Sequence, residues 1–465
     1  MLLILLGYLC ALMLLGAWIG RRVRTSGEFF VAGRQLGPGL LFSTLVAANI
    51  GAGSTVGAAG LGYRDGISAW WWVGSAGLGS LVLAFTVGPR MRRIAADFGF
   101  HTVGDFLERR YGRGVRAIVA VLLGAGGVAI LAGQLIALAW VLNVAMGLPK
   151  TAGCLVGGVV VTTYFAAGSL VTSAWVNVVQ VVVKLAGFAI ALPLAAAAAG
   201  GWHGVADATP GGSYWSFWRG GASGWGYLAL VAPAFVVSPG LLQKIYGARD
   251  DRAVRLAVAS NAAVLLLFAV VPPFLGMVAR ALHPHLTHHE LALPTVLMRD
   301  VPPLVGGLGL AAVVSAEISA ADAILFMLAT SLSRDLYRGF LRRDASDRQV
   351  LAAARSAAVA GGVLGVSLAI VAPSVIDVLG VFYTLLTVCL FVPVVAGLYW
   401  RRTGTTEVLA AMGGGVTAFL AAQVATGGAG FGPLSPQLAG LLCACFACAA
   451  AVALRRRPRR FLTPP

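Results

Sequence analysis

The chain has 465 residues, of which 59% are hydrophobic and 11% are charged, and its mean hydropathy is +0.87. An ordinary soluble domain is less apolar and carries about twice as many charged residues, so this composition excludes that class. Apolar stretches of roughly 20 residues recur from end to end, and each could cross about 30 Å of hydrocarbon as a helix. The sequence therefore predicts an all-α polytopic membrane protein.

Marking these stretches in chain order gives about thirteen transmembrane helices. The first has no basic residue before its apolar run and is followed by Arg21, Arg22 and Arg24, so we expect a retained anchor and not a cleaved signal peptide. The predicted spans are 1–20, 38–62, 67–88, 115–145, 150–168, 174–200, 224–246, 255–282, 305–331, 351–371, 375–397, 405–425 and 436–454.

Basic residues alternate between the predicted loops. Of the 34 Lys and Arg residues, 28 fall in loops that would share one side of the membrane. The positive-inside rule makes that side cytoplasmic, which predicts an external N-terminus and a cytoplasmic C-terminus in the cell membrane. The net charge of +17 is then a matter of topology and of contact with anionic lipid, and no nucleic-acid partner is expected.

The span Leu40–Tyr63 contains a run of small residues around a single Asn, from Ala47 to Thr55. Irregular backbone at membrane depth must be satisfied by protein or line a cavity, because lipid offers no hydrogen-bonding groups. A broken helix here would supply free carbonyls for a cation and a helix N-terminus for a polar solute group. Close packing of two helices through small residues is the alternative interpretation.

A second candidate break lies at Phe235–Gly240, within the predicted span 224–246. Pro239 removes a backbone donor and Gly240 admits unusual dihedral angles. Interrupted spans at matching positions of two halves are the best sequence indication of a transport site near the middle of the membrane. The agreement between the two breaks favours the binding-site interpretation of Leu40–Tyr63.

Four segments spread over about 300 residues resemble motifs of the sodium:solute symporter family. The segments are Gly27–Gly37, Thr102–Gly112, Ala167–Gln180 and Ser315–Tyr337. The resemblance implies a leucine-transporter-type core of two inverted five-helix repeats with broken first helices. It implies the core at about 38–397, the repeats at about 38–200 and 224–397, an extra helix and loop at 1–37, and two further helices with a basic tail at 398–465. Independently, Thr102 and Asp105 predict a capping-box-like start of a short helix.

The resemblance also implies a sodium site between the first and eighth core helices. Carried over to this sequence, the carbonyl ligands are at Ala47, Ile50 and Ala312, and the first hydroxyl ligand is Ser315. A second hydroxyl is expected at the next position, which is Ala316 here, so the ion site is one ligand short. Restoring it with Ala316→Ser is expected to raise sodium affinity. Some family members carry an acid at the position of Asn177, and its absence makes a second sodium ion unexpected here.

The eighth core helix carries two acids, Glu317 and Asp322. Asp322 shares a helical face with Ser315 and Ser319, at spacings of four and three residues, whereas Glu317 points elsewhere. Acids inside a membrane are costly and suggest function. Asp322 is a candidate to complete the cation site through water or to take up a proton. Glu317 is a candidate partner for Lys184, and a purely structural role remains open for both acids.

The solute is expected beside the ion, between the two broken helices and the second, third and tenth core helices. Polar and aromatic side chains of those helices are the candidates, although hydrogen bonding between helices is an equally good interpretation of the amides. These candidates are Asn49, Ser54, Gln134, Phe235, Ser238, Tyr383 and Thr387.

We therefore predict a secondary active transporter that couples a cation, sodium by resemblance, to a small organic solute by alternating access. A proton-coupled symporter or an uncoupled facilitator that uses Asp322, and a non-transporting sensor of the same fold, are the alternatives. The solute class is left open, with neutral or anionic solutes favoured because Asn49 offers no charge to an amine. No catalytic triad or nucleotide loop indicates an enzyme. All six cysteines fall within predicted spans, without the neighbouring ligands that a metal cofactor needs.

Overall fold

The computed structural model describes Gly7 and residues 34–166, 170–219, 223–342 and 344–454, and within these ranges the chain is helical almost throughout. The predicted first span, the segment 27–33 and the basic tail from 455 onward lie outside the described residues, apart from Gly7. The helices are α1 Pro38–Asn49, α2 Ala58–Asp65, α3 Trp70–Phe85, α4 Val87–Phe98, α5 Val103–Tyr111, α6 Arg113–Met146, α7 Lys150–Ala166, α8 Leu170–Ala198, α9 Gly201–Ala208, α10 Tyr227–Val236, α11 Pro239–Tyr246, α12 Asp251–Phe268, α13 Val271–Leu282, α14 Ala292–Arg299, α15 Pro303–Thr330, α16 Asp347–Val371, α17 Val375–Leu385, α18 Phe391–Tyr399, α19 Thr405–Thr426 and α20 Pro436–Leu454.

Membrane-crossing length is common among these elements. Ten helical stretches of the described chain are long and apolar enough to span a bilayer, and Pro38–Asn49 and Lys150–Phe165 are shorter apolar helices. The predicted all-α polytopic class is confirmed. The number thirteen stays a prediction, since its first span is outside the described residues.

The first predicted break is present. Helix α1 ends at Asn49, and Ile50 leaves helical geometry with φ −92° and ψ 95°. A π-helical turn over Gly53–Gly57 then leads into α2. Gly51 fits here because an added Cβ would come within 2.5 Å of Ala320 Cβ and 2.7 Å of Gln134 Oε1. The close approach of α6 and α15 therefore requires small residues here. The same small residues also permit the break.

The second predicted break is present as well. Helix α10 ends at Val236, Val237 and Ser238 depart from helical geometry, and α11 begins at Pro239. Proline suits the first position of a helix, where its missing N–H would have had no intrahelical acceptor. The two discontinuities therefore arise differently: by small residues at the first and by proline at the second.

Helix α15 forms the centre of the molecule and packs against α1, α6, α8 and α16. Its most apolar 18-residue window is 94% buried within the protein, against 22% for α20 at the periphery. An apolar helix that is buried all round is a core element, whereas one that buries a narrow stripe faces lipid. Helices α1 and α8 meet α15 at the first break, which brings three elements together there.

Loops that the charge pattern assigns to one side do lie at one end of the molecule. Arg34 donates to the carbonyls of Tyr246 and Phe100, at 3.2 and 2.8 Å. Arg92 donates to the carbonyl of Arg249 at 2.5 Å. These bonds tie together three loops that are far apart in sequence. The side of the membrane to which this end belongs stays a prediction.

An ion-pair cluster closes the same end. Arg116 Nη2 lies 2.7 Å from Asp335 Oδ1 and 3.0 Å from Asp105 Oδ1, and its Nη1 contacts Glu108. The Thr102 hydroxyl donates to Asp335 at 2.6 Å and caps α5 in a reciprocal bond with Asp105, so the predicted capping box is present. The cluster fastens α5, α6 and the π-helical continuation of α15 to one another.

Candidate functional site

A cavity lies where the two broken helices face each other. Its wall is mostly apolar, with a few polar groups that converge on it, as is typical of small-molecule sites. Side chains from α1, α3, α6, α10, α11, α15 and α17 line it. Among the predicted solute contacts, the lining includes Asn49, Ser54, Gln134, Phe235, Ser238 and Tyr383.

The two carbonyls predicted to hold a cation are available because α1 stops. A helix leaves its last four carbonyls without intrahelical N–H donors. Both Ala47 and Ile50 are fully buried, so these carbonyls need partners from elsewhere in the protein. Their partner is a side chain of α8.

Lys184 on α8 donates to both carbonyls. Its Nζ lies 3.2 Å from Ala47 O and 3.1 Å from Ile50 O, and it donates to Ser319 Oγ at 2.5 Å. The side chain has no solvent exposure. Lysine is almost never fully buried without partners, so this arrangement is a built site and not an accident of packing.

The Ser319 hydroxyl connects this group to α15. It lies 2.9 Å from Ala47 O and 3.1 Å from Ala316 O, and either carbonyl can accept its proton. Ser315 and Ala312 are buried one and two turns earlier on the same helix, and Ala312 packs against Gly187 of α8. Ala47, Ile50 and Ser319 thus meet at Lys184, and Ser319 is a contact that the ligand set implied by the family did not include.

The suggested pairing of Glu317 with Lys184 is not formed. Glu317 Oε1 instead accepts a bond from Thr55 Oγ1 at 2.7 Å, and its Oε2 has no hydrogen-bond partner within the described chain. The carboxyl group reaches the π-helical turn after the first break, whereas Lys184 lies at the break itself.

The remaining polar groups of the first break are satisfied by neighbouring side chains. Gln134 Oε1 accepts from the Ala52 N–H at 2.9 Å. Ser54 Oγ accepts from the Gly51 N–H at 3.0 Å and lies 3.1 Å from the carbonyls of Asn49 and Gly51. Because buried backbone groups are costly when unpaired, these contacts explain why a discontinuity is tolerated at this depth.

Asn49 fits both interpretations given above for the amides, namely hydrogen bonding between helices and contact with the solute. Its Nδ2 donates to Asn261 Oδ1 on α12 at 3.1 Å, and the residue also lines the cavity. Asn261 in turn donates to Ser80 at 3.5 Å. The amide therefore holds helices together while one side of it faces the cavity.

Aromatic rings bound the cavity on the side of α3 and α17. The Tyr383 ring centroid lies 5.6 Å from Trp72 and 5.8 Å from Phe235, and Trp72 also meets Tyr227 at 5.0 Å. Trp72 also lines a second, larger depression, which has about 1500 Å³ of empty volume and includes Arg64 among its wall residues. Trp72 thus borders both the cavity and that depression, which we call the vestibule.

Thr387 is not among the cavity residues. Its hydroxyl donates to Leu230 O of α10 at 2.6 Å, so the expected solute contact is a bond between helices instead. The π-helical turn Leu386–Leu390 changes the angular spacing of side chains at this point. A regular helix projection places Thr387 one turn beyond Tyr383 on the same face, and this turn removes that alignment.

Lys244 on α11 is a cavity residue that the sequence reading missed. It is 4% exposed, and Asp322, also buried, directly precedes the cavity residue Ala323 on α15. The position of Lys244, five residues after the second break, is the sequence signal that indicates it, although its charge alone is equally typical of a basic loop.

The sequence profile of the family described as "Sodium:solute symporter family" matches residues 29–415, a range that contains both breaks, the cavity and Lys184. The chain belongs to the sodium:solute symporter family. It is therefore a membrane-embedded solute symporter and not an enzyme, as the sequence predicted.

Relatives of known name agree with this assignment over most of this chain. The symporter is 28% identical over 446 residues to the sodium/pantothenate symporter of Escherichia coli (strain K12), which covers 90% of this chain and 89% of the relative. It is 26% identical to the human sodium/iodide cotransporter, over 87% of this chain and 67% of that one. The names indicate that solutes differ widely between these relatives.

Solved structures show the fold. A Na⁺-coupled sialic acid symporter in a substrate-bound, outward-open state matches with a TM-score of 0.82 at 17% identity, over 99% of this chain and 98% of that chain. Mhp1, a nucleobase-cation-symport-1 family transporter in a closed conformation, matches with a TM-score of 0.63 at 15% identity, over 92% and 94%. The predicted leucine-transporter-type fold is confirmed.

Proposed function

We propose that this symporter moves a small organic anion by alternating access, with the solute bound in the cavity between the two helix breaks. The observation that carries the proposal is Lys244. It is the single formally charged side chain among the described residues that line the cavity. An ammonium group in a mostly apolar wall favours a carboxylate or another anionic group.

Hydrogen-bonding groups around Lys244 support a ligand of this kind. Ser238 and Gln134 line the same cavity, and Asn49 contributes an amide. The N-terminus of α11 follows Ser238 directly, and helix N-termini favour negative charge. Two of the relatives are named for anions, pantothenate and iodide. In this assignment Phe235 and Tyr383 would contact the apolar part of the solute.

The transport route and the domain boundaries are part of the same proposal. We assign residues 38–397 to the transport core, with repeats at about 38–200 and 224–397, and the residues before and after it to peripheral elements. The solute would enter from the vestibule beside Trp72 and leave at the end closed by Arg116 and Asp335. The arginine-rich end would be cytoplasmic in the cell membrane, with an external N-terminus.

A driving cation is implied by the family, which is named for sodium. The ligand set implied by resemblance is Ala47, Ile50, Ala312 and Ser315, with Asp322 as an outer partner, but Lys184 already donates to the carbonyls of Ala47 and Ile50. Asp322 directly precedes the cavity residues Ala323 and Ile324, which supports a link between the solute cavity and this part of α15. A cycle that sodium does not drive is the second candidate, and it is favoured by the position of Lys184.

The test is ligand-induced thermal stabilisation of the purified full-length protein in potassium buffer. Potassium pantothenate, potassium pyruvate, glucose and choline chloride are compared as probes. We expect a carboxylate probe to raise the midpoint and choline to leave it unchanged. Lys244→Gln should weaken the carboxylate response at least about tenfold, because a charge-assisted hydrogen bond contributes about 1.5–3 kcal/mol.

Lys150→Gln is the matched control. Lys150 donates to Ala372 O at 2.5 Å, at the start of α7, and it does not line the cavity. This variant should respond to the carboxylate like the wild type. Stabilisation by choline or glucose alone, or an unchanged carboxylate response in Lys244→Gln, would contradict the assignment of an anionic solute.

A further inference from the structure

We propose that the Lys184 ammonium is the resident cation of the family's sodium site in this chain, so that sodium does not bind there. The inference rests on the proposed symport function, because it concerns the site that drives the conformational cycle. It names an occupant that is covalently attached to α8. The geometry of the first break carries it.

Donors and acceptors match in number. An ammonium group has three N–H donors and no acceptor. The acceptors within reach of Lys184 are also three, namely Ala47 O, Ile50 O and Ser319 Oγ. Two of them are the carbonyls that the family resemblance assigns to sodium. All three N–H donors of the ammonium therefore have acceptors, and two of these acceptors are the carbonyls that would otherwise hold a free ion.

A free sodium ion does not fit beside it. An ion bound at about 2.5 Å from Ala47 O would lie less than about 6 Å from Lys184 Nζ, given the 3.2 Å between Nζ and that oxygen. Two positive charges at this distance repel strongly in a buried site. Lys184 has no solvent exposure, so water cannot screen the repulsion.

Two positions of α15 are consistent with this exchange. Position 316 is alanine, so the ligand set implied by resemblance lacks one hydroxyl that a free ion would use. Ser319, one turn later, supplies a hydroxyl that accepts from the ammonium and lies 2.9 Å from Ala47 O. The hydroxyl present on this helix is therefore bonded to Lys184.

The partners of the ammonium are neutral, as they would be for an ion. Glu317 of α15 bonds to Thr55 instead of Lys184, and α1 carries no charged residue. The charged groups of α9, α13 and α14, which also pack on α8, are His203, Asp207, Arg280 and Arg299, and these lie in or next to loops at the ends of their helices.

A tethered cation alters the cycle in a defined way. A free ion joins α1 to α15 when it binds and releases them when it leaves, so its concentration sets the balance of states. Lys184 joins α1, α8 and α15 through one nitrogen and stays attached to α8. A change in sodium concentration therefore does not make or break this contact.

The experiment compares thermal midpoints of the purified full-length protein in sodium chloride and in potassium chloride at equal ionic strength. We expect no sodium-specific shift in the wild type or in Ala316→Ser, because the ammonium remains in both. The double variant Lys184→Ala with Ala316→Ser removes the tethered cation and restores the missing hydroxyl. It should gain a saturable stabilisation specific to sodium.

Lys150→Ala with Ala316→Ser is the matched control, because it removes a lysine outside the cavity and the first break and should stay insensitive to sodium. A sodium-specific, saturable shift in the wild type would overturn the inference, even if the double variant failed to fold. Equal insensitivity of a folded double variant would also overturn it. Only salts are used as probes, so these results are independent of the solute assays that test the proposed function.

Discussion

The two helix breaks differ in how their buried backbone hydrogen-bonding groups are satisfied. At the first, buried groups are paired by side chains from other helices: Lys184 for two carbonyls, Gln134 for the Ala52 N–H and Ser54 for its own turn. At the second, Pro239 removes a donor instead, and Ser238 faces the cavity.

The difference separates two roles that a transport site combines. Where the protein's own side chains already bond to the backbone groups of a break, few of those groups remain free to bind a diffusing ligand. A break that borders a cavity beside Lys244 keeps that capacity for a solute. The comparison teaches that the first break holds the helices of the core together, while the second selects the solute.

The largest expected effect comes from removing the hydrogen bonds of Lys184 at the first break. Lys184→Met takes the donor from Ile50 O and leaves Ala47 O with the Ser319 hydroxyl alone, and it should cost about 2–5 kcal/mol of stability. Thr387→Val removes a neutral bond to Leu230 O inside α10 and should cost about 0.5–1.5 kcal/mol. Thermal midpoints of the two purified variants measure the contrast, and equal losses would contradict the special role of Lys184 at the first break.

A second test concerns space. Gly51→Ala brings a Cβ within 2.5 Å of Ala320 Cβ, so overpacking should cost about 1–3 kcal/mol. Gly240→Ala in α11 meets nothing closer than Met327 Sδ at 3.6 Å, and should be neutral or slightly stabilising. The midpoint of each variant is compared with the wild type. Tolerance of Gly51→Ala would show that the first break is loosely packed.

The smallest effect concerns pH at the outer end of the first broken helix. Glu290 packs on Gly60 of α2 and accepts bonds from Trp140 Nε1 at 2.9 Å and from the Val375 N–H at 2.6 Å. Burial raises the pKa of its carboxyl from 4.5 to about 7. Folding therefore favours the protonated form, and the stability from this group is present at acid pH and lost as the pH rises through about 7.

The measurement is the thermal midpoint between pH 5 and pH 8. The wild type should lose stability across that window by at most about 3 kcal/mol, and Glu290→Gln should flatten this part of the profile. Glu108→Gln, a partly exposed acid at the opposite end, is the control and should retain the slope. A wild-type midpoint that rises between pH 6 and pH 8, with the rise absent in Glu290→Gln, would reverse the sign expected here.

Much of the architecture could be predicted from the sequence, because hydropathy fixes helices in a membrane and Gly or Pro marks their interruptions. Both breaks, the fold class and the capping box at Thr102 are present as predicted. The cavity also brings together Asn49, Ser54 and Gln134, although they come from α1, the turn after it and α6.

The partners of the charged residues could not be predicted in the same way. Lys184 was a candidate partner of Glu317 because opposite charges attract, yet its actual acceptors are backbone carbonyls and a hydroxyl. The acceptors that the long Lys184 side chain reaches depend on the angles at which α8 crosses α1 and α15. These crossing angles cannot be predicted from a single sequence. The π-helical turn that moves Thr387 away from the cavity could not be predicted from the sequence either.

The central claim is that the cation at the first break belongs to the chain itself. An experimental density map of the full-length protein prepared in sodium chloride tests it directly. We predict continuous side-chain density from Lys184 to a point between the carbonyl oxygens of Ala47 and Ile50, with the Ser319 hydroxyl beside it. A separate ion peak between those two oxygens, with Lys184 turned away from them, would contradict the account.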